Sequence, residues 1–218
     1  MLFLKITLII NLYKRYQGVT LMKLQDIASI TQGANVSRLE TSKEDSQSVE
    51  IDILTLKEFN ETLGLSYRMT QEKSQSVYIK EDKLKDQLLT KEKRLIVHLL
   101  SQKAALLPKQ YAGRLIPSNF VALDFQSNFD EKFMEWYFNE HPSIRRQIML
   151  GTQGSIVSTL SLATLRDLDI AVPLLSVQQK IGDISGLYHR KKQLIEERMK
   201  LEERLIHQKI KEILEEYK

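Results

Sequence analysis

The sequence predicts one mixed α/β domain over residues 22–173, followed by one long helix over residues 174–218 and preceded by an N-terminal extension, residues 1–21. Short β-branched runs alternate with stretches whose apolar residues recur at helical spacing, which is the pattern of a mixed domain. The pattern changes after Val172-Pro173: from about Ser176 to Tyr217 there is no proline, the last glycine is Gly186, and Glu, Lys, Arg, Leu and Ile dominate, all residues that a long helix tolerates. With 218 residues and 42% hydrophobic content, the chain is large enough to bury one good-sized core.

Within the extension, residues 2–12 are apolar but interrupted by Lys5, Thr7 and Asn11, and fall far short of the roughly 20 apolar residues a membrane span needs. The basic Lys14-Arg15 pair lies behind the apolar run, with no small-residue cleavage site after it, so no membrane association is expected. The extension reads as an extra strand or helix, or as sequence upstream of a biological start at Met22. Residues 24–30 read as a short helix or strand entry, closed by Gly33, where glycine permits a positive-φ turn. Residues 35–47 are polar and loop-like. In residues 49–55, Ile51 and Ile53 alternate with Glu50 and Asp52, which predicts a half-buried strand. Residues 76–80, 94–100 and 120–125 are strands by β-branched and aromatic content, and the second is apolar enough to be central. Phe133, Trp136 and Tyr137 predict a helix over residues 129–139, ending before His141-Pro142 because proline disfavours helix at the residue before it. Residues 143–149 and 161–167 form two short helices, the second capped by Ser161.

The absence of cysteine excludes a disulfide scaffold, a thiol nucleophile and Cys-ligated zinc, and permits a reducing, cytoplasmic setting. His98, His141, His189 and His207 are scattered, with no His-Glu-x-x-His motif, and His98 in its apolar strand reads as a satisfied core histidine. No phosphate-cradling glycine loop, nucleophile elbow, methyltransferase motif or nuclease-like acidic cluster is present. The expectation is a non-catalytic protein with no metal and no cofactor of its own. The formal charge of +4 loses its meaning when divided along the chain: residues 22–188 hold twenty basic and twenty-one acidic groups. Only local clustering can mark a nucleic-acid surface. Residues 95–123 contain Lys103, Lys109 and Arg114 without an acid, and residues 141–165 contain Arg145 and Arg146 without an acid. Tyr111, Gln153 and other amide and hydroxyl groups lie among them and suit contacts to phosphates and base edges. Arg38, in the loop after Gly33, and Arg68 complete the candidate DNA-binding set.

On the C-terminal helix, Leu187, Leu194 and Leu201 fall at intervals of seven and are followed by Leu205. A second row, Ile195, Met199, Ile206 and Ile213, widens this face, and Ile184 precedes it. A helix of about 60 Å outruns a domain of this size, so the face is assigned to self-association or to a partner helix.

Gly151-Thr-Gln-Gly154, Leu165-Arg-Asp-Leu-Asp-Ile170, Pro173 and Gln178-Gln179 followed by Ile181 stand in a fixed order before the long helix. With the opening Met22-Lys-Leu-Gln-Asp-Ile-Ala-Ser-Ile-Thr-Gln-Gly33, they resemble the target-recognition domain and helix of type I restriction-modification DNA-specificity subunits. The resemblance covers most of residues 22–218. It departs from the family at Val172-Pro173-Leu174-Leu175, where a second proline is usual, and in length, since members commonly carry two recognition domains and two helical spacers.

The resemblance implies an α+β recognition domain with a mixed or mostly antiparallel sheet and one long coiled-coil helix. It implies a chain that binds double-stranded DNA and directs methyltransferase and restriction subunits to a bipartite target, the methyltransferase subunits binding S-adenosylmethionine. A single domain and helix would restore the family's antiparallel helix pair by homodimerisation. Two other readings stay open at this point: a coiled-coil protein-interaction or regulatory module, and an inactive specificity-gene cassette.

Overall fold

The computed structural model describes residues 19–45, 47–65, 75–152 and 159–217. Its elements, in chain order, are β1 (Val19–Lys23), α1 (Leu24–Ile27), β2 (Ala28–Gln32), α2 (Val36–Leu39), β3 (Ser48–Asp52), α3 (Leu56–Thr62), β4 (Ser76–Lys80), β5 (Leu95–His98), β6 (Lys103–Leu106), β7 (Phe120–Phe125), α4 (Glu131–Glu140), α5 (Pro142–Gly151), α6 (Leu162–Asp167), β8 (Asp169–Pro173) and α7 (Leu175–Glu216). Short 3-10 turns lie at Glu81–Lys83, Asp86–Leu88 and Lys109–Tyr111.

A four-stranded sheet in the order β2-β7-β5-β6 forms the centre, with every neighbouring pair antiparallel. Successive side chains of a strand point to opposite faces, and both faces here are covered. Leu95 and Val97 join Val121 and Leu123 under Phe133, Tyr137, Phe138, Ile144 and Leu165 of the α4–α6 layer. Ile96 and Ala122 face Leu54, Phe59 and Ile116 on the other side. This two-sided burial explains why β5 reads as a continuous apolar run. The β3–β4 ribbon packs Ile51 and Ile79 on Leu115 beside the sheet, and β1 pairs with β8 across Val19↔Pro173 to Lys23↔Asp169. Val19, Thr20 and Leu21, assigned by the sequence to the extension, are therefore strand residues; residues 1–18 lie outside those described.

Gly33 corrects a sequence expectation. Its φ is not positive; a Cβ there would overlap the Pro117 carbonyl, so the position needs glycine for close approach rather than for a left-handed turn. Within the polar stretch after it, Ala34 bridges to Pro117, and Val36 and Leu39 of α2 pack on the ribbon core.

The long helix is docked by its first turns. Gln178 is 1% exposed; its Oε1 accepts from the Asp130 backbone N–H (3.0 Å) and its Nε2 donates to the Pro173 carbonyl (2.9 Å). Asp130 in turn caps α4 through its side chain, which accepts from Phe133 N–H at 2.8 Å. One turn later Gly182 lies so close to α4 that a Cβ would sit 2.6 Å from Asp130 Oδ1 and 2.9 Å from Phe133 N. Lys132 and Asp183 pair at 3.1 Å beside it.

The face of α7 turned to the domain is small and polar: Gln178, Gly182, Ser185, His189, Gln193 and Glu196 are its buried or half-buried positions, with Ile181 beside them. The predicted apolar face is exposed, from Ile184 (69%) and Leu187 (72%) through Leu194, Leu201 and Leu205 to Ile213 (53%). At 100° per residue, the two faces lie roughly half a turn apart, on opposite sides of the helix.

Two glycines of α7 give opposite expectations. Gly186 has open space where a Cβ would go, so Gly186→Ala should stabilise by about 0.5–1 kcal/mol through helix propensity. Gly182→Ala should destabilise despite the same propensity gain, because the added methyl overlaps α4. Urea unfolding of both variants reads the two signs; stabilisation by Gly182→Ala would contradict the tight docking.

Candidate nucleic-acid interface

The predicted cations separate to opposite ends of the central sheet. At one end meet the C-terminus of β2, the N-terminus of β7 and the β5–β6 turn, residues 99–102. Gly33 N–H donates to the Phe120 carbonyl, Gln32 Nε2 to the Ser118 carbonyl (3.1 Å) and Leu99 N–H to the Asn119 carbonyl (2.9 Å). Leu160, between the Gly151-Thr-Gln-Gly154 and Leu165–Ile170 segments in sequence, joins them through its N–H to the Leu99 carbonyl at 3.0 Å. Beside this end, a cleft of about 340 Å³ is lined by Ser101, Gln102, Lys103, Asn139, Arg145, Met149 and Thr152 among others, with no carboxylate in its lining. Lys103 and Arg145, which the sequence placed in separate acid-free intervals, thus share one surface.

The remaining candidates stand elsewhere. Arg146 is exposed on α5 but does not line the cleft, because a helix turns 100° between neighbours. Arg145 itself is 60% exposed; its guanidinium donates to the Asn139 carbonyl and reaches Glu140 at 3.4 Å, so it also closes the C-terminus of α4. Arg38 is exposed on α2, one helical turn beyond the sheet end. Lys109 is exposed past the opposite end of β6. Arg68 and Gln153 lie outside the described residues.

Arg114 and Tyr111 correct the expectation that a basic interval without acids keeps its charge free. Arg114 is ion-paired to Glu58, lies 4.0 Å from Asp52, and stacks on the Tyr111 ring at 5.0 Å. The Tyr111 hydroxyl donates to Glu61 at 3.1 Å. Glu58 and Glu61 come from α3, more than fifty residues before Arg114, and Asp52 from the end of β3; Glu58 also closes a capping box with Thr55. Sequence distance hid them; the fold brings them together. Lys109 has no ion-pair partner among the described residues.

His98 confirms its reading as a core histidine. It is 3% exposed, its ring packs at a tilt against Phe59 and Phe120, and its Nδ1 accepts from the Ser101 N–H at 3.2 Å. Burial lowers its pKa, which keeps the ring neutral. Among the described residues no group of three or more His, Asp or Glu is arranged to hold a metal, and no helix is long and apolar enough to cross a membrane.

Sequence reasoning missed β6 and the groups that cover it. As the outer strand of the sheet, β6 has an open edge, a template for unwanted pairing. Asn139 of α4 closes it by accepting from Ala104 N–H (2.9 Å) and donating to Ala104 O (2.7 Å). Glu135, one helical turn earlier, accepts from Leu106 N–H at 2.9 Å. Burial pushes the Glu135 carboxyl up to about 7, against the opposing pull of the Leu106 N–H. It lines a second cleft of about 320 Å³ between the domain and α7, with Lys103, His189 and Lys192.

Two measurements follow from these contacts. Arg114→Ala should cost about 3 kcal/mol in urea unfolding, because Glu58 would stay buried without its partner; a change below about 0.5 kcal/mol would mean the pair is solvated. For Glu135, the unfolded chain releases its proton near the ordinary 4.5 while the folded chain holds it to about 7. Its ionisation thus lowers stability progressively as pH rises from about 4.5 to 7. Glu135→Gln keeps an acceptor for Leu106, so its melting temperature should match the native protein's near pH 4.5 and exceed it at pH 8. A difference independent of pH would contradict this.

No protein-family model matches the chain, and no curated protein matches it by sequence. Solved structures do match. The HsdS subunit from Thermoanaerobacter tengcongensis aligns with a TM-score of 0.54 at 13% identity, over 81% of this chain and 44% of that one. A chain from a structural study of the complex assembly and conformational transition of the type I R-M system aligns with a TM-score of 0.57, at the same identity and coverage. This chain therefore spans less than half the length of those it matches. The antiparallel sheets and the long C-terminal helix are common ground, and over four-fifths of its length the chain has the fold of a type I restriction-modification HsdS subunit.

Proposed function

We propose that the chain is the DNA-sequence recognition subunit of a type I restriction-modification complex, working as a homodimer that directs methyltransferase and restriction subunits to a bipartite target. The fold shared with HsdS over four-fifths of the chain is the observation that carries this reading. Lys103 and Arg145 supply phosphate contacts at the sheet end, with Arg38, Lys109 and Arg146 as outlying ones and Ser118 and Asn119 as polar groups for base edges. Arg114 and Tyr111 hold the opposite end of the domain through Glu58 and Glu61. The chain contributes position and sequence choice; the reaction belongs to its partners.

A second copy fits the exposed face of α7 in both apolarity and charge. Residues 184–200 carry five basic side chains against two acidic, and residues 201–217 three basic against five acidic. The first half is thus net +3 and the second net −2, so an antiparallel pair sets unlike charges against each other along its length. Ile184, Leu187, Leu194, Ile195, Leu201, Leu205, Ile206 and Ile213 form the seam. Two-fold symmetry then places two identical recognition domains on half-sites that are inverted copies, separated by unread bases.

Light scattering of the full chain at micromolar concentration should give a dimer, and Leu194→Glu with Leu201→Glu a folded monomer, because unpaired carboxylates in the seam are costly. A monomeric native chain would remove the homodimer. Deleting the gene should erase one methylated bipartite motif from the genome; an unchanged methylome would contradict the recognition role and favour a protein-interaction module. Lys103→Ala with Arg145→Ala should weaken DNA binding and flatten its salt dependence, by about one counterion for each lost phosphate contact; an unchanged slope would take the cleft out of the site.

A further inference from the structure

We infer that the tip of the β5–β6 turn is a base-reading element, with Leu100 as an apolar contact in the DNA groove. The inference rests on the recognition role proposed above and identifies a part of the surface that would perform it.

The register His98↔Lys103 leaves a four-residue tip, residues 99–102, and that tip is tethered at nearly every position. Leu99 is buried and tied through its N–H to Asn119 and through its carbonyl to Leu160. The Ser101 N–H donates to His98 Nδ1, and its hydroxyl lies 2.8 Å from the same nitrogen. The Gln102 N–H donates to the His98 carbonyl at 2.9 Å, with Gln102 itself at a φ of 56°. A left-handed backbone is ordinarily left to Gly or Asn, and its retention at a bulky residue marks stored strain.

Leu100 is what this scaffold presents: 54% exposed, where turns ordinarily carry Gly, Asn or Asp. Lys103 follows three residues later, Arg145 and Met149 (59% exposed) line the adjoining cleft, and Asn119 is bound to the base of the tip. The arrangement is an apolar projection on a rigid turn, beside cations and amides and a cleft without a lining carboxylate. Duplex DNA offers the complement: phosphates to either side of a groove, and base edges that include the thymine methyl. The cationic surroundings favour DNA over a protein partner as the occupant.

The test is selection from randomised duplex DNA by the full chain, comparing the native protein with Leu100→Ala and Leu100→Met. Leu100→Ala should lose roughly tenfold discrimination at one base pair of each half-site, within the usual cost of a mismatched position. Its salt dependence should not change because no charge is removed, and its melting temperature should match the native value. Leu100→Met should restore most of the preference. An unchanged preference in Leu100→Ala, with the native chain still selective, overturns the assignment and leaves the recognition role standing. Loss of methyltransferase-subunit binding with discrimination intact would make the tip a protein contact and also overturn it. A native chain that selects no sequence would bring down both.

Discussion

The arrangement of domain and helix depends on one buried amide. Gln178 joins the end of β8 to the start of α4 by bonding Pro173 and Asp130 at once, and it does so from the first turn of α7. A buried amide left unsatisfied costs about 1–3 kcal/mol, so the helix can leave the domain only where both of these bonds are made. Gly182 then removes the side chain that would hold α7 away from α4. Direction and contact distance are thereby set within two turns. The polar, small face of α7 goes to the domain as a consequence, and the leucine and isoleucine face is left outward.

The same economy of contact governs the sheet. Strand β6 has the sequence Lys-Ala-Ala-Leu, with little intrinsic strand preference, and it is held by β5 on one edge and by Asn139 and Glu135 on the other. Its start therefore stays fixed beside α5, which brings Lys103 to the Arg145 cleft. At the far end, Arg114 and Tyr111 are occupied by Glu58 and Glu61. Arg114 is neutralised at one end of the sheet, where Lys109 stays exposed, and Lys103 and the largely exposed Arg145 share a cleft at the other; this pairing of two cations supports the position of the proposed DNA surface.

Strands β4 and β7, the helix ending before His141-Pro142, the Ser161 cap and the long C-terminal helix were legible because each is fixed by local chemistry: β-branched side chains, a proline, a hydroxyl, helix propensity. Strand β6 was not, since its stability comes from neighbours distant in sequence; nor was the β1–β8 ribbon, whose two strands lie almost 150 residues apart. At the candidate site, residue types were legible and company was not. Lys103 and Arg145 read as separate intervals yet share a cleft, whereas Arg114 read as free yet is bound by a carboxylate 56 residues away. Gly33 shows a related limit: a glycine is visible in sequence, but whether it serves conformation or space is decided by what packs on it.

The proposed two-fold recognition unit depends on the orientation of α7 and on a second copy against its outer face. The absence of cysteine makes a single introduced one a unique label site, so the distance between spin labels at Lys211→Cys in the assembled protein is the most direct measurement. Antiparallel pairing centred near Lys200 separates the two labels by about 35 Å, from 1.5 Å of rise per residue and a spacing of 8–10 Å between axes. A distance near 10–20 Å would mean parallel helices, and the absence of any dipolar coupling would mean no pair; either result would contradict the two-fold recognition unit.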